Sequence, residues 1–270
     1  MERETTPLNA HVTERHDLNK ALILFRAVYD NGFVPTYTAG QFVNLGLEPR
    51  DPELASGKSN LVKRPYSVSS VPGEDSVEFF VRLVDEGALT PELFRCQAGD
   101  PLWMDERFLG KFTLKQLPES PAPADRDVVM VSTGTGLAPF MSMLRAELSA
   151  KPWRRLVMIN GVRVESDLGY REELEALDRE HDWFTYLPTL SRPLEEPSSQ
   201  WSGLVGRVGA LLEPEAYEHH VGAPLEPSSG QVLLCGNPAM IDEVQASLEA
   251  RGFEKHSRRS PGQIHLERYW

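Results

Sequence analysis

The chain has 270 residues, enough for one large or two moderate domains, and its apolar content is that of a globular protein with a sizeable core. Only two cysteines occur, Cys96 and Cys235, which argues against a disulfide framework and excludes a four-cysteine metal or iron–sulfur centre in this chain. The formal net charge of −12 disfavours nonspecific nucleic-acid binding. With no apolar run long enough to cross a bilayer and a polar start without a secretory pattern, we expect a cytoplasmic protein.

The first part of the chain predicts short β-strands. Residues 77–83 place Val77, Phe79, Val81 and Leu83 on one face, which is typical of a strand with a buried side. Further strands are expected at residues 8–14, 21–28, 41–47, 65–69 and 101–104. A short helix is expected over residues 91–96, with Thr90 as its N-cap. Six short strands with one helix indicate a small antiparallel barrel.

Residues 117–127, LPESPAPADRD, favour a linker. Three prolines among small and charged residues fit neither a helix nor a strand. We therefore expect one domain over residues 1–116 and a second over residues 128–270.

Beyond the linker, strand and helix patterns alternate. Strands are expected at residues 128–132, 156–160, 184–190, 232–235 and 264–267, and helices at 138–149, 170–180, 207–212 and 240–251. This alternation predicts a parallel sheet with helices on both faces, in which ligands bind at the carboxyl ends of the strands.

The first strand after the linker leads into a glycine-bearing turn, Thr133-Gly134-Thr135-Gly136, and then into an apolar helical pattern. Such a turn can bind phosphate, because glycines let backbone approach a ligand and the helix N-terminus offers N–H groups. The third glycine of a dinucleotide fingerprint is missing, with Pro139 close to its place. Taken alone, the stretch is equally consistent with an ordinary strand-to-helix turn.

A second candidate stretch is Arg64-Pro65-Tyr66-Ser67 on a predicted barrel strand. The arginine offers a planar donor fork for a pyrophosphate, and the tyrosine offers a π face. For this stretch alone, a surface arginine on a barrel strand is the commoner explanation.

Three motifs, taken in order, resemble the ferredoxin–NADP(+) reductase family. They are Arg64-Pro65-Tyr66-Ser67, Gly134-Thr135-Gly136-Leu137-Ala138-Pro139 and Cys235-Gly236-Asn237-Pro238-Ala239-Met240. The terminal Tyr269-Trp270 is similar to the bacterial, enterobacterial-like branch. The resemblance covers nearly the whole chain. It implies a six-stranded antiparallel FAD-binding barrel over residues 1–116 and a parallel-sheet NADP(H)-binding α/β domain over residues 128–270.

For the flavin, the resemblance implies that Arg64 contacts the FAD pyrophosphate, that Tyr66 lies against the isoalloxazine and that Ser67 hydrogen-bonds near flavin N5. Residues 87–90, Gly-Ala-Leu-Thr, resemble the family's second phosphate-holding turn. It further implies that Tyr269 covers the flavin and moves to admit the nicotinamide, and that Trp270 stacks on the adenine. The remaining cofactor-binding positions that we assign are Val81, Leu89, Thr90, Thr133, Gly134, Thr135, Gly136, Ser191, Gly236, Asn237 and Met240.

Three arginines favour NADP over NAD. Arg163, Arg192 and Arg207 stand where bacterial members of the family clamp the 2′-phosphate. Independently of the resemblance, an arginine accommodates a phosphate, whereas NAD sites usually place a carboxylate on the ribose. Glu165 and Asp167 lie nearby in the sequence and weigh against this interpretation. Cys235 either packs in the core or lines the nicotinamide site, and we group it with Tyr66, Ser67 and Tyr269 as candidate catalytic residues.

We therefore expect a flavoenzyme that transfers electrons between NADP(H) and a one-electron carrier, ferredoxin or flavodoxin, through FAD. The candidate docking surface for an acidic carrier is the basic stretch with Lys255, Arg258, Arg259 and Arg268, although the overall negative charge weighs against it. The alternatives are a flavin reductase, a reductase component of another electron-transfer system, or a non-catalytic nucleotide-sensing module. No metal site is expected, and His219-His220 is interpreted as a solvated loop pair.

Overall fold

The computed structural model describes residues 5–54, 59–119, 121–196 and 198–268. The chain divides into two compact units, Met1–Leu114 with Ala138–Ala146, and Lys115–Leu137 with Glu147–Trp270. The helix that follows the glycine turn is therefore grouped with the first unit, although the strand before it belongs to the second. Within the described ranges, no helix is long and apolar enough to cross a membrane.

Six antiparallel strands form the first unit's sheet. They are β1 (Ala10–Asn19), β2 (Leu22–Tyr29), β3 (Phe42–Leu47), β4 (Val62–Ser67), β5 (Val77–Arg82) and β6 (Pro101–Met104), in the order β4-β3-β6-β1-β2-β5. An antiparallel bridge between Val68 and Phe79 joins the two outer strands, so the sheet closes into a barrel. Inward-facing side chains fill it, with Phe25 and Phe79 5.1 Å apart between ring centroids. The predicted six-stranded barrel is confirmed.

The short helix α1 (Thr90–Leu93) corrects one prediction. Leu89 occupies the N-cap position, and Thr90 is already within the helix. The Thr90 hydroxyl accepts from the Val84 N–H and donates to the Val84 carbonyl, both at 3.0 Å. The side chain thus closes the loop before the helix, and this contact overrides the local N-cap preference of threonine.

Six parallel strands form the second unit's sheet; the parallel arrangement was predicted, but β10 was not among the five predicted strands. They are β7 (Asp127–Thr133), β8 (Arg155–Val162), β9 (Phe184–Leu190), β10 (Leu204–Val205), β11 (Gly230–Gly236) and β12 (Ile264–Arg268). Their order is β10-β9-β8-β7-β11-β12, so the chain moves outward from β7 and then returns to its other side. This reversal makes the carboxyl ends of β7 and β11 the switch point at which ligands bind in such sheets.

The helices after the linker are α2 (Ala138–Glu147), α3 (Arg171–Glu180), α4 (Pro214–Val221) and α5 (Pro238–Ala250). The helix predicted over residues 207–212 is a 3-10 helix, Val208–Leu212. His219 and His220 were expected in a loop but lie in the last turn of α4, which Gly222 ends with a φ of 76°. Among the described residues, no three His, Cys, Asp or Glu side chains are arranged to hold a metal ion.

Candidate active site

The candidate nucleotide site lies at the carboxyl ends of β7 and β11. Thr133 ends β7, and Gly134–Leu137 form a 3-10 turn that continues directly into α2. Gly134 has a φ of 53°, and no atom lies within 4 Å of the place that a Cβ would take. Open space above a glycine at the start of a helix suits a phosphate group, which the backbone can then approach closely.

A glycine is required at position 136 for a different reason, close packing against β11. A Cβ at this position would overlap the Cys235 carbonyl oxygen and would lie 2.7 Å from its carbonyl carbon and 2.9 Å from Gly236 Cα. The glycine therefore lets the turn pack against the end of β11. This packing, and not the approach of a ligand, accounts for the second glycine of the motif.

A hydrogen bond connects the glycine turn to the Cys-Gly-Asn-Pro motif. The Asn237 N–H donates to Thr133 Oγ1 at 2.8 Å. Gly236 adopts a φ of 130°, which brings its backbone against Thr133. Asn237 also caps α5, because its side-chain oxygen accepts from the Ala239 N–H at 2.8 Å. Two motifs about one hundred residues apart in the sequence thus form a single structure at the switch point.

The three arginines follow three neighbouring strands of the sheet. Arg163 comes after β8, Arg192 after β9 and Arg207 after β10. The Arg192 N–H donates to the Arg163 carbonyl at 2.8 Å, and the Gly206 N–H donates to the Leu190 carbonyl at 2.9 Å. These backbone bonds bring the three segments to one edge of the sheet. We call the three arginines carried by these adjacent segments the cationic cluster.

The arginine side chains are exposed and only weakly engaged. Arg192 pairs with Glu195 at 3.1 Å and Arg207 with Glu243 at 3.4 Å, and the two guanidinium-bearing side chains are 54% and 80% exposed. Exposed pairs of this kind contribute little, about 0–1 kcal/mol, so they yield readily to a phosphate. Ser191 is also exposed, and its hydroxyl donates to the Val162 carbonyl at 3.1 Å.

A partly buried carboxyl at the switch point, that of Glu267, was not identified from the sequence. Glu267 pairs in register with Cys235, and its Oε2 lies 4.0 Å from the fully buried Cys235 Sγ. Burial raises the pKa of Glu267 to about 7. A carboxyl with this pKa can hold or release a proton near neutral pH. The zero exposure of Cys235 favours its interpretation as a packing residue, and the acidic neighbour could be recognised only from the strand order.

In the first unit, β4 carries the proposed flavin residues. Arg64 is exposed and donates to the Lys63 carbonyl at 2.8 Å, which leaves other guanidinium N–H groups for a phosphate. Tyr66 packs against the barrel core, and burial raises the pKa of its hydroxyl above the usual range. Ser67 is buried at the end of the strand. A guanidinium and an aromatic ring on one strand fit a pyrophosphate linked to a flat ring system.

The other predicted contacts of the barrel are more restricted. Val81 and Leu89 are buried in the core, so only their backbone atoms are suited to a ligand. At the start of α1, the Glu92 and Leu93 N–H groups both donate to the Leu89 carbonyl at 3.0 Å. These two backbone N–H groups are therefore not free for a phosphate, and the phosphate-binding role of the turn stays a prediction.

Helix α2 holds the backbone just beyond β4. Arg145 donates to the Ser69 carbonyl at 2.9 Å and to the Glu78 carboxylate at 2.8 Å. Glu78 is buried and is also paired with Arg26 at 3.0 Å. The two arginines compensate the buried carboxylate, and the segment that follows Ser67 is thereby fixed within the first unit.

The last predicted residues fall at the end of the chain. Lys255, Arg258 and Arg259 are exposed, and Arg268 pairs with Asp242 at 2.5 Å. Met240 is half-buried at the start of α5 and packs against the core of the second unit. Tyr269 and Trp270 lie outside the described residues.

A closed antiparallel barrel followed by a parallel sheet with a glycine turn at its switch point is the fold of two-domain flavoprotein reductases. Residues 130–246 match the family described as oxidoreductase NAD-binding domain. The chain is 32% identical over 245 residues to a flavodoxin/ferredoxin–NADP reductase of Buchnera aphidicola, covering 90% of this chain and 92% of the relative. It is also 32% identical over 236 residues to that of Escherichia coli, covering 87% and 88%.

A solved structure agrees with these relatives. The crystal structure of a ferredoxin NADP+ reductase from Neisseria gonorrhoeae with bound FAD and NADP is similar with a TM-score of 0.82 and 27% identity, covering 97% of this chain and 98% of that one. The chain belongs to the flavodoxin/ferredoxin–NADP reductase family, and the resemblance identified from its motifs is confirmed.

Proposed function

We propose that this protein is a flavoenzyme that transfers electrons between NADP(H) and a one-electron carrier protein, a ferredoxin or a flavodoxin, through FAD. One observation carries the proposal: three exposed arginines converge at the same edge of the sheet as a glycine turn with open space above Gly134. Family membership supports it, because the relatives are named for NADP and for flavodoxin or ferredoxin.

The cationic cluster selects the nucleotide. Arg163, Arg192 and Arg207 would bind the 2′-phosphate, while the backbone around Gly134 would bind the pyrophosphate. A hydrogen bond to a charged group contributes about 1.5–3 kcal/mol, so loss of one arginine should raise KM for NADPH by about 10- to 100-fold. NADH lacks the 2′-phosphate, and its KM should change little.

The test of this selection compares Arg192→Ala and Arg207→Ala with Arg95→Ala. Arg95 is a matched control, because it is an exposed arginine that pairs with Glu92 at the same three-residue spacing as Arg192 with Glu195. Steady-state KM values for NADPH and NADH are measured for each variant. An equal loss with the two nucleotides would contradict the assignment of the cluster to the 2′-phosphate.

FAD would be held in the first unit by Arg64, Tyr66 and Ser67. When bound, FAD accepts or donates a hydride and exchanges single electrons, which links a two-electron nucleotide to a one-electron carrier. The chain's own residues orient it: Arg64 binds phosphate, and Tyr66 offers a ring for stacking. The purified protein should be yellow and should release FAD on denaturation. A colourless protein that takes up no added FAD would refute the proposal.

Glu267 is the residue best placed to hold a proton in the second unit. Its raised pKa, to about 7, lets the carboxyl carry a proton near neutral pH, while its Oε2 accepts from the Cys235 thiol. Replacing Glu267 with Gln should lower kcat and remove the ionisation near pH 7 from its pH profile. An unchanged profile would exclude this role.

The carrier protein would dock on the basic surface formed by Lys255, Arg258, Arg259 and Arg268. On a chain with a net charge of −12, a cluster of this sign stands out and complements an acidic partner. Charge reversal at Arg258 and Arg259 should raise KM for the carrier and flatten its salt dependence, while ferricyanide reduction stays unchanged. Reduction of free FMN together with inactivity toward the host's ferredoxins and flavodoxins would instead favour the flavin reductase alternative.

We further propose that residues 1–116 are the FAD-binding domain, that residues 117–127 are the linker and that residues 128–270 are the NADP(H)-binding domain. Two strand boundaries support this division. The last strand of the barrel, β6, ends at Met104, and the first strand of the parallel sheet, β7, begins at Asp127, the last residue of the proposed linker. We also propose a cytoplasmic location, since a chain with two cysteines and no disulfide between them suits a reducing compartment.

A further inference from the structure

Two acidic residues follow Arg163 in a loop where a carboxylate could oppose the 2′-phosphate. Glu165 comes two residues after Arg163, and Asp167 two residues later, in the loop that follows β8. A carboxylate in such a loop commonly binds the ribose of NAD, and it would repel the additional phosphate of NADP. Asp167 is only 6% exposed, so it is not available to a ribose. Glu165 is therefore the carboxylate that could oppose the phosphate.

Both carboxylate oxygens of Glu165 accept hydrogen bonds from the protein. The Arg171 guanidinium, at the start of α3, donates to Oε1 at 2.6 Å, and the Ser199 hydroxyl donates to Oε2. The Ser199 hydroxyl, the Arg171 guanidinium and the Gln200 backbone N–H hold the pKa of Glu165 below its usual value, because each favours the charged form. The carboxylate is thus charged at neutral pH, and its charge is already engaged within the second unit.

The pair of Glu165 and Arg171 is less exposed than the pairs of the cationic cluster. The two side chains are 24% and 36% exposed, against 80% for Arg207 beside Glu243. Arg171 is also held by Glu175 at 2.6 Å, so its position does not depend on one partner. Charge-assisted bonds from several donors to one carboxylate are stronger than a single exposed pair. We therefore expect Arg207 to exchange its partner for a phosphate while Glu165 keeps its own.

The contacts of Glu165 also join two loops that carry arginines of the cationic cluster. Ser199 lies in the loop between β9 and β10, so its bond to Glu165 connects that loop to the one after β8. A second link is the Ser166 N–H, which donates to the Glu196 carboxylate at 3.0 Å. These side-chain bonds add to the backbone bond between Arg192 and Arg163.

Arg171 contacts the segment that leads to the third arginine. Its guanidinium lies 5.1 Å from the Trp201 ring centroid, a distance typical of a cation–π contact. The Trp201 Nε1–H donates to the Leu204 carbonyl in β10 at 2.9 Å, and Arg207 follows this strand. One side chain of α3 thus contacts Glu165 and the segment before Arg207.

We propose that Arg171 is a specificity-determining positioning residue for the nucleotide, which acts through Glu165. By pairing with this carboxylate, Arg171 keeps it from opposing the 2′-phosphate and holds the surrounding loops together. The inference rests on the proposed function, because it requires that the cationic cluster binds the 2′-phosphate. Without Arg171, Glu165 has no cationic partner two residues from Arg163. The affinity for the phosphate then falls, while the affinity for the rest of the nucleotide is retained.

The test is calorimetric titration of the FAD-loaded protein with 2′-AMP, which carries the phosphate, and with NAD+, which lacks it. Arg171→Met should weaken 2′-AMP binding about tenfold and change NAD+ binding less than about twofold, because only the phosphate meets the released charge. Adding Glu165→Gln to Arg171→Met should restore 2′-AMP binding to within about threefold of the wild type. Arg171→Lys keeps a cation and should lose no more than about threefold.

Arg179→Met is the matched control, because it removes an exposed arginine from the same helix, and it should change 2′-AMP binding less than about twofold. Ser199→Ala is a second variant that leaves Arg171 in place. It removes the other side-chain donor to Glu165 and should weaken 2′-AMP binding about threefold. Thermal unfolding and flavin absorbance verify that each variant is folded.

Three results would overturn the role of Arg171: equal losses for 2′-AMP and NAD+, no loss for 2′-AMP, or a double variant as weak as Arg171→Met. Equal losses would show that the contacts of Arg171 only maintain the loops. A wild type that binds NAD+ but no 2′-AMP would overturn the proposed selection of NADP(H) itself. The two failures are therefore distinguished by the wild-type titration.

Discussion

Replacing Gly136 with alanine tests whether the second glycine of the turn is structural. Its new Cβ would lie 2.7 Å from the Cys235 carbonyl carbon and 2.9 Å from Gly236 Cα, against a comfortable separation of about 3.5 Å between carbons. The obstacle is backbone of the buried strand β11, so the turn must move by roughly 0.8 Å. Overpacking of this kind typically costs about 1–3 kcal/mol, and we expect the upper end because backbone cannot change rotamer.

Gly134→Ala is the matched variant, because it adds the same methyl group two residues away in open space. Its cost comes from the backbone, since alanine at a φ of 53° is disfavoured by about 1 kcal/mol. We expect the melting temperature to fall by about 6 °C or more for Gly136→Ala and by roughly 2–4 °C for Gly134→Ala. For NADPH binding, we expect Gly134→Ala to raise KM about tenfold, because its methyl group occupies the space for phosphate.

The assay is thermal unfolding of the FAD-loaded variants by circular dichroism, together with steady-state kinetics against NADPH. Wild-type stability of Gly136→Ala would refute the packing explanation of that glycine. A wild-type KM for Gly134→Ala would refute the placement of a phosphate above the first glycine. Each variant thus tests one half of the turn independently.

Three further predictions concern polar groups that are buried or partly buried. The folded-state pKa of Glu267 is raised from 4.5 to about 7, so the wild type should lose about 3 kcal/mol of unfolding free energy relative to Glu267→Gln as the pH rises through that window. The same difference in unfolding free energy between the two proteins at pH 4.5 and at pH 8 would contradict this. Thr133→Val removes the acceptor for the Asn237 N–H and should cost about 1–2 kcal/mol in urea unfolding, whereas Thr133→Ser should cost less. Arg145→Met removes a cationic partner of buried Glu78 and should cost about 2–3 kcal/mol, with partial recovery in Arg145→Lys. Equal stability of all three proteins would exclude this ion pair as a stabilising element.

The three arginines that we propose for the nucleotide show how much of a site the order of strands predicts. Strand and helix alternation predicts that loops after parallel strands meet at one edge, so Arg163 and Arg192 could be grouped in advance. Their actual proximity depends on a backbone hydrogen bond across two loops. The short strand β10, which precedes Arg207, has only two residues and leaves no periodic pattern.

Local signals failed where a distant partner decided the structure. Thr90 carries the chemical preference of an N-cap, but its hydroxyl bonds to Val84, which loop closure brings near. His219 and His220 follow no apolar periodicity, yet they lie in α4. In each case, the competing contact or packing arises only when the chain has folded.

By itself, the sequence determined the closed barrel, the parallel sheet and the family, because periodicity of apolar side chains and short motifs are properties of neighbouring residues. Tertiary structure alone decided the separate roles of the two glycines and the ionisation of Glu267. The need for glycine at position 136 comes from the carbonyl of Cys235 in β11, about one hundred residues away. The raised pKa of Glu267 comes from its burial in β12, which pairs with β11. Close approach and desolvation depend on which atoms surround a residue, and only the order of the strands brings those atoms together.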